Sequence, residues 1–106
     1  MNQSQKQLHT LTMWSVKEGY EEAFIRSWQE FSEWMLRHHP GAGEADLLKD
    51  YEHLGLFVVF RPWKDLKSIE AWRQSSEFRE FIMEAMKLCD GVQPHFLKTV
   101  AGARKK

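Results

Sequence analysis

The run Leu56-Phe57-Val58-Val59-Phe60 is apolar at every position. Side chains along a strand alternate between two faces, so an unbroken apolar run marks a strand covered on both. Helices of the same chain can cover one face. The other needs a second cover, and a partner subunit is the nearest source. Pro62 stands two residues on and is expected to end the strand or place it at a sheet edge.

Working outward toward the N-terminus, Tyr51 to Gly55 reads as a turn and Ala45 to Asp50 as a short strand. Leu8 to Val16 is a longer strand, with Thr10, Thr12, Trp14 and Val16 on one side and His9, Leu11 and Met13 on the other. Lys17, Glu18 and Gly19 form a turn into a helix from Tyr20 to His38. Tyr20, Phe24, Trp28, Phe31 and Met35 recur at spacings of four and three, which is one helical face. Acids at its start and Arg37, His38 and His39 at its end suit the helix dipole, and Pro40 and Gly41 stop it.

Toward the C-terminus, Asp65 is positioned as the N-cap of a helix carrying Leu66, Ile69 and Trp72. Ser75 and Ser76 interrupt that pattern, and Phe78, Phe81, Ile82, Ala85 and Cys89 begin another apolar face, so this helix is expected to break near Ser75. Asp90 and Gly91 close it, and Val92 to Val100 is the last strand, with Pro94 near its start. The order β-α-β-β-α-β predicts an α+β, ferredoxin-like fold: an antiparallel four-stranded sheet with two helices on one face.

At 106 residues and 12.6 kDa the chain suits one domain, with its core over about 8–101. Lys+Arg and Asp+Glu are both 15, which argues against nucleic-acid binding and gives no polybasic membrane signal. No apolar run approaches the roughly 20 residues of a membrane span, and Met1 to Lys6 is polar, so a cytoplasmic protein is expected. The single cysteine, Cys89, excludes an intramolecular disulfide framework and a cysteine-cage zinc site. No metal site is expected from the histidines either. His38 and His39 are adjacent and diverge by about 100° on a helix, and no pair has i,i+4 spacing. His9 and His95 fall on the two terminal strands, which this fold does not require to be neighbours. Five Trp, seven Phe and two Tyr exceed what one small core can hide, so some rings should line a pocket or an interface.

One set of residues resembles the antibiotic biosynthesis monooxygenase family. It begins with Val16, Gly19 and Phe24, continues through Leu36, Pro40, Gly41, Phe60 and Trp63, and ends in Ser68, Ala71, Trp72 and Ser75. The resemblance implies a dimeric α+β barrel, in which two sheets pack together and cover the second face of the Leu56–Phe60 strand. It also implies a pocket between sheet and helices of each monomer. Characterised members oxygenate aromatic or quinol-type small molecules, often with no metal or flavin, so no cofactor is expected. A haem-degrading branch uses an Asn on the first strand, a Trp after the third and a haem-ligating His on the second helix. By alignment Trp63 matches the Trp, whereas Thr12 stands at the Asn position and Ile82 at the His position. Isoleucine has no lone pair for iron.

The pocket candidates are therefore Trp63, Trp14, Arg61, Thr12 and Trp72. Trp14, Trp63 and Trp72 supply walls. Arg61, two residues before Trp63 and on the same face of a continuing strand, is placed to hold a phenolate or carboxylate, or else is a surface charge at the strand end. His9 and His95 are weak candidates for a general base, a surface histidine being the better reading of each, and no residue has an unmistakable catalytic setting. A non-catalytic barrel that binds a small hydrophobic ligand is the alternative to an enzyme.

Overall fold

A computed structural model describes residues 7–105. The expectations for Met1 to Lys6 lie outside the described residues. The elements run β1 (Leu8–Val16), α1 (Glu21–His38), β2 (Leu47–Lys49), β3 (Leu56–Trp63), α2 (Leu66–Arg73), α3 (Ser76–Met86) and β4 (Cys89–Lys98). The four strands form one antiparallel sheet in the order β2-β3-β1-β4. The expected second helix is two helices, because the chain breaks at Ser75. That side chain caps α3 by accepting from the Phe78 N–H, while its hydroxyl donates to the Trp72 carbonyl. Asp65 caps α2, and its hydrogen bonds from the Ser68 hydroxyl and N–H hold the carboxyl below its ordinary range.

Several boundaries differ from the sequence reading: β2 covers only Leu47–Lys49 within the expected 45–50, and β4 runs Cys89–Lys98 against an expected 92–100. Pro62 does not end β3, which runs on to Trp63. The Pro62 carbonyl accepts from Gly43 N–H, so the position where proline lacks a donor faces the 39–46 loop and not β1. Cys89 is not the end of a helical face but the first residue of β4, and the Ser15/Val16 register shift leaves Asp90 as an extra residue in that strand.

The register separates the two faces of the sheet. Trp14, Val16, Phe57 and Val59 turn toward the helices and pack with Phe24, Phe81, Ala85 and Cys89. Trp14, Phe24 and Phe57 form a chain of tilted rings with centroids 5.3 and 5.6 Å apart. A smaller cluster of Met35, Trp63 and Ile69 closes the other end. On the opposite face Leu56 and Val58 are half-buried and Phe60 is 45 % exposed, so the apolar β3 strand is fully covered on one side only within this chain. His9 stacks on Phe60 there. β1 and β4 are neighbours, contrary to the freedom left open for them: His95 lies opposite Leu11, and His9 and His95 share this uncovered face.

Candidate active-site cavity

Between the helix-facing side of the sheet and the second helical region lies a cavity of about 250 Å³. β1 contributes Thr10, Thr12 and Trp14. β4 contributes Val92, Pro94 and Phe96, which stand opposite Trp14, Thr12 and Thr10 in the β1–β4 register. α2 adds Trp72 and Arg73, and α3 adds Phe78 and Ile82. The break at Ser75 lets both helices reach one space, since Trp72 comes from the end of the first and Phe78 from the start of the second. Their rings meet edge to face, with centroids 4.4 Å apart. The Arg73 guanidinium lies 4.4 Å from the centre of the Phe96 ring, a cation–π contact at the rim.

Of the residues nominated from the sequence, Thr12, Trp14 and Trp72 meet at this cavity. Trp63 does not line it. It is 1 % exposed, packs with Met35 and Ile69, and lies behind the wall, its ring centroid 5.3 Å from that of Trp72. Its indole N–H donates to Thr10 Oγ1 at 3.0 Å. Arg61 is neither a pocket cation nor a surface charge. It is 4 % exposed and donates to the Gly43 carbonyl at 2.6 Å and to Ser32 Oγ at 3.1 Å, fastening the 39–46 loop to α1. Burial pushes its pKa down to about 10, which leaves it charged at neutral pH.

Thr10, Arg73, Phe78, Ile82, Val92, Pro94 and Phe96 are not among the pocket candidates read from the sequence. Period-2 alternation assigns residues 92, 94 and 96 to one face of β4, but that pattern does not say which strand lies beside it. A second, larger groove of about 480 Å³ runs between α1 and β2, lined by Trp28, Leu36, Leu47 and Phe57 with Glu33, Asp46 and Lys49 at its edges. It contains none of the nominated residues. Among the described residues no group of three or more His, Cys, Asp or Glu is placed to hold a metal ion. No helix among them is long and apolar enough to cross a membrane.

The family model for antibiotic biosynthesis monooxygenases matches residues 8–84, which span β1 through most of α3. The chain belongs to this family. Among curated protein sequences no match is found. Solved structures show the same fold. A conserved protein from Methanosarcina mazei superposes with a TM-score of 0.82 at 17 % identity, covering 92 % of this chain and 96 % of that one. A Pseudomonas aeruginosa protein gives 0.76 at 21 % identity, covering 94 % and 100 %. SnoaB, a cofactor-independent oxygenase from Streptomyces nogalater, gives 0.76 at 15 % identity, covering 95 % and 96 %. In this family member Thr12 and Ile82, the positions aligned with the haem branch's Asn and His, both face the one cavity.

Proposed function

We propose that this protein is a cofactor-independent monooxygenase for a small phenolic or quinol-type aromatic bound in the β1–α2–α3–β4 cavity. The observation that carries this reading is the lining itself: Trp14, Trp72, Phe78 and Phe96 border a partly open space between sheet and helices. Family membership and the likeness of fold to SnoaB support it. Its volume, about 250 Å³, lies just below the roughly 300–1,000 Å³ of pockets for drug-sized ligands, so the substrate is small.

The chemistry asks little of the protein. An electron-rich phenolate reduces dioxygen itself, so the chain's part is to bind it, orient it and keep water away. Overall, a phenol with a free para C–H and O2 give a quinone and water. One oxygen atom enters the ring, the other leaves as water with the two hydrogens, and the substrate supplies all four electrons. Trp14, Trp72 and Phe78 would hold the ring, and Arg73 at the rim would attract the anion.

We also propose that the protein works as a homodimer through the uncovered sheet face. Leu11, Met13, Val58 and Phe60 lie side by side there, and an apolar surface of that kind is the mark of an interface.

The test is dioxygen uptake with a panel of hydroxynaphthalenes, with no metal or flavin added and an anaerobic control. Protein-dependent uptake, with one quinone formed per O2, is expected. A second reading, ligand binding without turnover, is favoured by one observation: no carboxylate or imidazole is found among the described residues lining the cavity. Tight binding of the same compounds without any uptake would select it.

A further inference from the structure

The sheet face turned away from the helices carries no fixed charge. Residues 9, 11, 13 and 15 of β1, and the positions opposite them on β3 and β4, include no Lys, Arg, Asp or Glu. Nor does β2, which presents Leu48 there, opposite Val58. A sheet face meant for water alternates in polar side chains, whereas here Leu48, Phe60 and Leu97 are 55, 45 and 40 % exposed. The only ionisable side chains the register places on this face are His9 and His95. His9 stands between Pro62 and Leu97, and its ring stacks on Phe60 with centroids 4.4 Å apart. His95 stands opposite Leu11.

Neither imidazole has an ion-pair partner among the described residues. The charged residues of β4 do not face them. Lys98 is opposite Leu8, which packs against the helix-side cluster, and Asp90 is the extra residue near the other end of the strand. The remaining histidines lie elsewhere: His53 is bonded to Asp50 in the turn between β2 and β3, and His38 and His39 stand beside Trp34 at the end of α1.

We propose that His9 and His95 make the dimer acid-sensitive: proton uptake by their imidazoles separates the two copies. The inference rests on the homodimer reading above and adds its regulation. A twofold sets this face against itself, so each histidine enters the interface twice and neither copy brings a carboxylate to meet it. A neutral imidazole is tolerated against apolar side chains. An imidazolium there gives up its hydration and finds no partner, whereas on the free monomer water solvates it. The stack of His9 on Phe60 lies within one copy and does not hold two together. The monomer therefore binds protons better than the dimer, and association weakens as pH falls. With an ordinary histidine value of about 6.5, one ring per copy that must stay neutral weakens association about a hundredfold at pH 5.5.

The test is sedimentation equilibrium of the full chain at pH 8 and pH 5.5, with the near-ultraviolet signal of the tryptophans reporting the fold. The dimer dissociation constant is expected to rise about a hundredfold or more at the lower pH, with the fold intact. His9→Phe keeps a ring on Phe60 and His95→Gln keeps a polar side chain, and neither takes up a proton. The double variant should stay dimeric at pH 5.5, while His53→Gln should dissociate as the parent does. A parent that is equally dimeric at both pH values overturns this inference and leaves the dimer standing. A parent that is monomeric at pH 8 takes the dimer reading down with it. A double variant that still separates in acid places the proton elsewhere, and one that does not associate at pH 8 makes the imidazoles plain contacts; either overturns the inference. So does loss of the tryptophan signal along with the dimer, since dissociation would then follow from unfolding.

Discussion

The indole N–H of Trp63 on β3 donates to Thr10 Oγ1 on β1 at 3.0 Å, and the same ring packs against Trp72. Thr10 and Trp72 both line the cavity that Trp63 itself does not reach. Trp63 thus braces two walls from behind.

Truncating that brace is a core mutation. Trp63→Ala should lower stability by about 3–5 kcal/mol, read from the shift of the denaturant midpoint. Trp63→Phe keeps most of the packing and loses one hydrogen bond, about 0.5–1.5 kcal/mol. Unchanged stability with ligand binding abolished would instead make Trp63 a contact residue.

Ser75 joins the two halves of the second helical region through its bonds to Phe78 N–H and the Trp72 carbonyl, at 3.1 and 2.7 Å. Ser75→Ala should cost about 1 kcal/mol, the usual loss of an N-cap. Because those partners flank the cavity, binding of 4-nitrophenol should weaken as well. Thermal unfolding and a binding titration on the same variant check both.

Cys89 is 2 % exposed, and burial, with the Asp90 carboxylate adding to it, pushes its thiol from 9.0 up to about 11. The folded protein should resist iodoacetamide at pH 8 and become labelled only on unfolding, as mass spectrometry would show. The folded state holds this proton more tightly than the unfolded chain. Its contribution to stability is therefore complete below about pH 9 and is lost as pH rises through about 11. Cys89→Ala should flatten that part of the stability profile.

Phe60 is 45 % exposed on the uncovered sheet face. A stable dimer buries more than about 1,000 Å² in total, and burying a carboxylate in the middle of it is costly. Phe60→Glu should therefore sediment as a folded monomer at concentrations where the parent is a dimer. A monomeric parent at micromolar concentration would refute the dimer.

Ile82 faces the cavity from α3, at the position aligned with the haem branch's ligand. It offers iron no donor atom. Titration with haem under reducing conditions should leave the haem spectrum without the bands of an open tetrapyrrole. Their appearance would show that another residue ligates the iron.

The sequence by itself determined what depends on near neighbours. The limits of β1, the split of its side chains between two faces, the Asp65 cap and the break of the second helix near Ser75 all follow from short-range periodicity and capping. The same alternation put Thr12 and Trp14 on one face of β1, and folding turned that face toward the helices, where both reach the cavity. Tertiary structure alone decided the rest. Alternation assigns a side chain to a face but does not name the strand beside it, so Phe96 came opposite Thr10, and His95 opposite Leu11, only through long-range pairing. Arg61 and Trp63 share a face of β3 with Phe57 and Val59, yet whether they meet a cavity or the core depends on what packs above them. Above Arg61 are Ser32 of α1 and the Gly43 loop; above Trp63 are Met35 and Ile69. Those partners are distant in the chain, and only folding brings them there. The same packing closes Trp72 and Trp14 around one space and leaves their N–H groups without a partner of their own.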